Sequence, residues 1–374
     1  MIAGRVAGAA AATLALALSV LAAPTEAKVP PGFVGVVADG PLLDQGTNLG
    51  HELDLMKRAG VQSVRVTFPW SAAQPYATFA DAPPGAAPQF SDVDGVPTDF
   101  TGTDRLVQET AKRGLRILPV VLYSPAWASH NPDNAAFPPA DPATYARYLS
   151  ALAARYGSAG TFWVENQGTP RMPIRSWQVW NEPNISFYWP QPFARGYVKL
   201  LRAAHNALRQ SDPHARLILS GLTNDCWNAL MKIYKAGGKP YFDAVALHPY
   251  TSKVNGLVKI LAYVRNAMRR FHDQRKPIIV SEMSWPSAAG KVKHLGFNEV
   301  TEHQQAQRVT AGYELLAKDR RHFNIEAVYW YTWLSIDSGR YYFNYSGLRK
   351  MTSHGPASKP AYRAFKRVVR KIKR

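Results

Sequence analysis

The chain has 374 residues, 46% of them hydrophobic, with 10 Trp, 18 Tyr and 15 Phe; this excludes a disordered chain and supplies apolar surface for a large core. Lysine and arginine number 45 against 26 aspartate and glutamate, a formal net charge of +19 that favours polyanions as partners. One cysteine, Cys226, excludes an intrachain disulfide and any cysteine-rich metal cluster.

The first 27 residues read as a secretory signal peptide. Arg5 supplies a positive start, and an apolar run follows over 7–23, too short and alanine-rich to span a bilayer well. Thr25 and Ala27 are small residues at the places signal peptidase reads, so cleavage is expected after Ala27, leaving one domain over 28–374. An uncleaved N-terminal anchor is the alternative. Either way the body of the protein is exported, and no later apolar run is long enough for a membrane helix.

Beyond the leader, short apolar β-branched runs alternate with amphipathic stretches. FVGVV (33–37) predicts a strand; GHELDLMKRAG (50–60) predicts a helix with Leu53, Met56 and Ala59 on one face and Gly60 at its end. SVRVTF (63–68) is a strand, 103–114 a helix ending at Gly114, and LRILPVVL (115–122) a strand. A helix follows over 141–157, with Asp141 as N-cap and Pro142 in the first turn. SWQVWN (176–181), a helix over 193–213, RLILS (216–220) and DAVALH (243–248) come next. A helix over 258–271, PIIVSE (277–282), a helix over 302–319 and EAVYWYTW (326–333) complete the series. Cys226, between Asp225 and Trp227, reads as a packed thiol.

Eight strand runs, nearly continuous in apolar residues, with helices between them predict an α/β fold. The expected form is a (β/α)₈ TIM barrel in a single domain. A doubly wound open sheet is the alternative, but no glycine-rich phosphate turn follows the first strand. The long connections 69–100 and 123–140 follow strands, so they lie at the C-terminal face, where this fold builds active sites. Residues 359–374 carry eight basic residues and no acid. They read either as an arm that anchors the protein to anionic envelope material, or as a last barrel helix with Tyr362, Phe365, Val368, Val369 and Ile372 at helical spacing.

Two motifs carry chemistry. In VWNEPN (179–184), Glu182 ends a strand and Pro183 turns the chain into a loop; in IIVSEMSWP (278–286), Glu282 ends another and Pro286 follows closely. These are the fourth and seventh strands, which lie across a barrel from each other. Paired carboxyls flanking a linkage are what glycosidic cleavage needs: one protonates the leaving oxygen, the other attacks or activates water. No H-E-x-x-H, zinc cluster, G-x-S-x-G elbow or Walker loop is present, and no cofactor or metal is expected.

Asn-Glu at the end of strand 4 with Glu at the end of strand 7 resembles the large clan of retaining barrel glycoside hydrolases that includes families 5 and 39. The motif order looks most like family 39 and its relatives, with cellulase-like family 5 enzymes close behind, over roughly residues 32–350. The resemblance implies Glu182 as acid/base, Glu282 as nucleophile and Asn181 as the group that holds the sugar 2-hydroxyl. Many relatives carry E-x-G-W; here Ser284 precedes Trp285, which leaves the glutamate in place. Arg65, in VRVTFPW, resembles an arginine that hydrogen-bonds the nucleophile, where a cation favours a carboxylate's charged form. His248 and Tyr250, in LHPY, match a His-x-Tyr element whose tyrosine contacts the nucleophile. Trp330 or Trp333, in VYWYTW, resembles a platform under the sugar, one of the two being core. Trp127, with Trp70 and Tyr123, is expected either to line the cleft or to pack in the core.

The function implied is a secreted glycosidase acting on β-linked poly- or oligosaccharide by double displacement. The basic surface suggests an anionic glycan or envelope polymer as a partner; nucleic acid has no motif behind it. The alternative is a barrel that binds glycan or envelope polymer without turnover.

Overall fold

The computed structural model describes residues 29–293 and 296–374; the expected signal peptide lies outside the described residues. Eight strands form the barrel: β1 (Val34–Val37), β2 (Ser63–Pro69), β3 (Arg116–Leu122), β4 (Ser176–Val179), β5 (Arg216–Ile218), β6 (Val245–Leu247), β7 (Ile278–Met283) and β8 (Ile325–Trp330). All neighbours pair in parallel, in the order β5-β4-β3-β2-β1-β8-β7-β6. Parallel bridges Ile218–Ala244 and Leu222–Leu247 join the two ends and close the barrel.

Eight helices cover it: α1 (Leu49–Ala59), α2 (Thr101–Lys112), α3 (Pro142–Tyr156), α4 (Ala194–Ser211), α5 (Cys226–Lys235), α6 (Gly256–Arg270), α7 (Glu302–Asp319) and α8 (Pro360–Ile372). Their starts follow capping chemistry. Asn48 Oδ1 accepts from His51 N at 3.0 Å, Asp141 Oδ1 from Ala143 N at 2.9 Å, and Thr301 forms a capping box with Gln304. Sequence periodicity left α5 unassigned; it is short, and it buries Cys226, Ala229, Leu230 and Ile233 against the sheet. The basic stretch 359–374 is the eighth barrel helix. Of the residues at helical spacing, Phe365, Val368, Val369 and Ile372 are buried and Tyr362 is half-buried; Ala361 and Ala364 are buried beside them.

Strand alternation sorts the core into two layers. On β2, Val64, Val66 and Phe68 face the helices in the large outer cluster, whereas Ser63 and Arg65 point into the barrel, Ser63 reaching Tyr329 at 2.9 Å. A smaller cluster containing Leu118, Ile218, Ala246, Ile279 and Ala327 fills the interior. The barrel is thus packed through its middle, with a cavity at its C-terminal mouth and another at its N-terminal end. The loop 69–100 carries its own hairpin, Ser91–Val93 with Val96–Thr98. After β8 a small sheet of Leu334–Ser335, Arg349–Thr352 and Gly355–Ser358 braces the mouth.

Candidate active site

Seven side chains carried by four strands, β2, β4, β6 and β7, meet at the mouth. Arg65, 2% exposed on β2, spreads its guanidinium over three acceptors: Gln178 Oε1 at 2.7 Å, Glu282 Oε1 at 2.7 Å and Asn181 Oδ1 at 2.8 Å. A planar fork of five fixed donors suits this task; an ammonium does not. The Tyr250 hydroxyl donates to the other oxygen, Glu282 Oε2, at 2.5 Å. Glu282, the fifth residue of β7, therefore accepts at both oxygens from rigid donors.

Glu182 arrives differently. The β4 ladder stops at Val179 because Trp180 turns to φ 67°, and Glu182 itself sits at φ 40°. Both are in the left-handed region, which costs a non-glycine residue about 1–2 kcal/mol. Trp180 is held there by burial and by its indole N–H donating to Tyr188 O at 3.1 Å. The bend swings the carboxylate over the mouth, where His248 Nδ1 meets Glu182 Oε1 at 2.6 Å.

Burial pushes the Glu182 carboxyl up from 4.5 to about 7, against the lowering pull of Arg65 and of Thr223. Burial pushes His248 down to about 3, so its imidazole is neutral near pH 7 and the short contact to Glu182 is a hydrogen bond rather than an ion pair. The ring lies between the two carboxylates, its Nε2 3.5 Å from Glu282 Oε1 and without a hydrogen-bond partner. It fits only because residue 221 is glycine: a Cβ there would stand 1.9 Å from His248 Nε2. Ligand atoms of Glu182, His248 and Glu282 all lie within 4.8 Å of one another. The spacing would admit a metal ion, but Glu282 already holds Arg65 and Tyr250, and a cation there would face a guanidinium.

A cavity of about 390 Å³ opens above these groups. Arg65, Asn181, Glu182, Tyr250 and Glu282 line it, as do Asp39, Tyr123, Tyr188, Tyr331, Tyr341 and Phe343. Asp39, at the end of β1, accepts from Thr67 N at 2.9 Å, and burial raises its carboxyl above the usual range.

The expected tryptophan platform is not where the sequence placed it. Trp330 and Trp333 are both fully buried: Trp330 donates to Ser346 O at 3.0 Å, and Trp333 to Glu52 Oε2 at 2.8 Å beside the buried Glu52–Arg349 pair. Tyr331, between them, presents its ring to the cavity instead. Trp127 packs edge-on against buried Trp70 and donates to Gln74 O at 2.9 Å, away from the cavity lining. Sequence reasoning also passed over Asp39, Gln178 and Gly221. The signal for Asp39 was available, since it follows the first strand directly and so lies at the mouth.

A (β/α)₈ barrel with two glutamates converging at its C-terminal face defines the class of protein: a glycoside hydrolase. The model of glycosyl hydrolase family 53 matches residues 43–323, and the chain belongs to that family. Solved structures similar to it include a family 39 glycoside hydrolase from Bacteroides cellulosilyticus WH2 (TM-score 0.63, 18% identity, covering 93% of this chain and 65% of that one). A family 39 enzyme from Xanthomonas axonopodis pv. citri has the same TM-score, 0.63, at 18% identity, covering 91% of this chain and 66% of that one. An α-L-arabinofuranosidase from Thermotoga maritima follows (TM-score 0.60, 13% identity, 92% and 71%). At such identities these likenesses speak for the fold. A β-xylosidase from Geobacillus stearothermophilus is 33% identical over 86 residues, which are 21% of this chain and 17% of that protein. The chain spans just under two thirds of the two family 39 structures. Among the described residues no helix is long and apolar enough to cross a membrane.

Proposed function

We propose that this protein is an exported glycosidase that cleaves β-linked glycan with retention of configuration, using Glu182 as acid/base and Glu282 as nucleophile. The observation that carries the reading is the separation of the two carboxylates, whose ligand oxygens lie within 4.8 Å. Retaining enzymes hold their carboxyls about 5–5.5 Å apart, whereas inverting enzymes leave about 6.5–9.5 Å for a water.

In the first step Glu282 Oε2 or Oε1 attacks the anomeric carbon as the glycosidic C–O bond breaks, and Glu182 transfers its proton to the departing oxygen. A pKa of about 7 keeps that proton on Glu182 in neutral solution. Neutral His248 occupies Oε1, which leaves the acid proton to Oε2. In the second step Glu182, now ionised, takes a proton from water, the water oxygen attacks the anomeric carbon, and the bond to Glu282 breaks. Asn181, with Oδ1 committed to Arg65 and its amide nitrogen beside the Tyr188 hydroxyl, has a second amide N–H with which to donate to the sugar 2-hydroxyl.

The cavity walls support a neutral sugar. Asp39, Glu182 and Glu282 outnumber Arg65, the one lining cation, which is already engaged. Exposed Tyr341 lines the cavity and exposed Phe187 packs edge-on against Tyr188, which also lines it, an aromatic surface that supports cleavage within a chain. The leader, with Arg5 before an apolar run and small residues at 25 and 27, supports export. The test is a sugar-release screen over aryl β-glycosides and polysaccharides with wild type, Glu182→Gln and Glu282→Gln. Release by wild type that both variants lose is expected; release unchanged by either substitution would overturn the assignment.

A further inference from the structure

The two ends of the barrel differ in charge. Three of the loops at the mouth, 69–100, 123–141 and 183–193, hold six aspartates and no lysine or arginine; the loops after β6, β7 and β8 carry the mouth's cations, among them Lys253, Lys291, Lys293 and Arg340. At the opposite end, every one of the eight barrel helices carries lysine or arginine in its last turn. Helix C-termini and strand N-termini share that face in this fold. Arg116 opens β3 and Arg216 opens β5, while Arg171 and Arg175 lie in the segment leading into β4. These four guanidinium groups line one cavity of about 590 Å³, larger than the cavity at the mouth.

Two of these four guanidinium groups have local partners and two do not. Glu326 lines the same cavity and is held by Arg216 through two bonds of 2.7 and 2.8 Å. Arg171 donates to Ser158 O. Arg116 and Arg175 are exposed and have no acceptor among the described residues. The Arg116 guanidinium lies over Gly32, where a Cβ would stand 3.1 Å from its Nη1. Basic last turns are an ordinary complement to helix dipoles, which present about half a negative charge each. Arg116, Arg171 and Arg175 lie outside those turns, so the dipoles do not account for them.

We propose that this cavity is a polyanion-binding site: a linear polymer with spaced phosphate or carboxylate groups docks across the N-terminal face, its oxyanions in the forks of Arg116 and Arg175. A planar guanidinium engages either oxyanion through two parallel hydrogen bonds. The site lies on the far side of a packed barrel core, so an occupied polymer site leaves the catalytic mouth open to its own substrate. A membrane surface fits less well, because exposed apolar side chains such as Phe187, Phe297 and Tyr341 lie in loops at the mouth. Among the described residues Val164 is the exposed large apolar residue in a segment of the basic face.

The test is fluorescence anisotropy with the full chain and labelled inorganic polyphosphate or labelled polygalacturonate, over a series of salt concentrations. Arg116→Ala with Arg175→Ala is compared with Lys253→Ala with Lys293→Ala, which removes the same charge at the mouth. The arginine pair should weaken binding about five-fold or more and lower the salt slope of log affinity by about two; the lysine pair should change little. The polymer that binds tighter identifies the oxyanion. Melting temperature checks that each variant is folded, and Arg116→Lys with Arg175→Lys, which keeps the charge and loses the fork, should fall between the two. Equal losses in both alanine pairs, no binding of either polymer by wild type, or binding confined to anionic phospholipid vesicles or single-stranded oligonucleotide would overturn the proposal.

Discussion

Replacing Glu182 by glutamine should stabilise the protein, and only at neutral and alkaline pH. In the folded state burial raises this carboxyl from 4.5 to about 7. A raised carboxyl pKa means that the folded state resists ionisation, so the cost is absent below pH 4.5, where the group is protonated folded and unfolded. It grows as pH rises and is complete above about 7. At 1.36 kcal/mol per pH unit the full cost is about 3 kcal/mol. Glutamine never ionises and keeps a polar group against His248, so the variant avoids that cost. With an unfolding entropy of about 2 cal/mol/K per residue, 3 kcal/mol moves the melting temperature of a chain this long by about 4 °C. Scanning calorimetry of both proteins at pH 4.5 and pH 8 is the assay. The melting temperatures should nearly coincide at pH 4.5 and separate by about 4 °C in favour of glutamine at pH 8. A pH-independent difference, or a glutamine variant that is less stable at pH 8, would refute the claim that burial holds this carboxyl protonated.

The same carboxyl sets the pH dependence of turnover. kcat/KM should fall as pH rises through about 7, because the first step needs the Glu182 proton; a profile flat to pH 9 would contradict the assignment. Gly221→Ala should cost about 3 kcal/mol and most of the activity, since its Cβ would stand 1.9 Å from the Nε2 of a buried His248 with no room to retreat. A melting temperature equal to wild type would show that the ring relocates freely. Arg65→Lys should retain the charge yet lose kcat by about 10²-fold or more, because an ammonium cannot span Gln178, Glu282 and Asn181 together. Near-normal kcat in that variant would reduce Arg65 to a simple counter-charge.

What the sequence revealed and what it hid have physical reasons. Glu182 and Glu282 were legible because each ends an apolar run that only a strand covered on both faces explains, with proline closing the run. Arg65, His248 and Tyr250 followed from the resemblance; Arg65 and Tyr250 hydrogen-bond Glu282, and His248 meets Glu182. The aromatic wall was hidden because β8 ends at Trp330 and strand alternation does not continue past it: Trp330, Tyr331 and Trp333 lie within four positions, yet Tyr331 alone of the three lines the cavity. Helix α5 was hidden because ten residues are too few for periodicity to stand out between two loops. The strand over 176–181 stops two residues early because Trp180 adopts a left-handed conformation that no sequence rule marks for tryptophan. The excess positive charge was plain, but its location was not, since helix ends and strand starts scattered through the sequence gather on one face only when the barrel closes.

Proton NMR of the first sugar released from an aryl β-glycoside substrate tests the central claim most directly, because it reports the anomeric configuration before mutarotation erases it. Carboxylates this close predict that the β-anomer appears first and the α-anomer only later, by equilibration. Initial release of the α-anomer would mean that water attacks directly, and it would contradict Glu282 as the nucleophile.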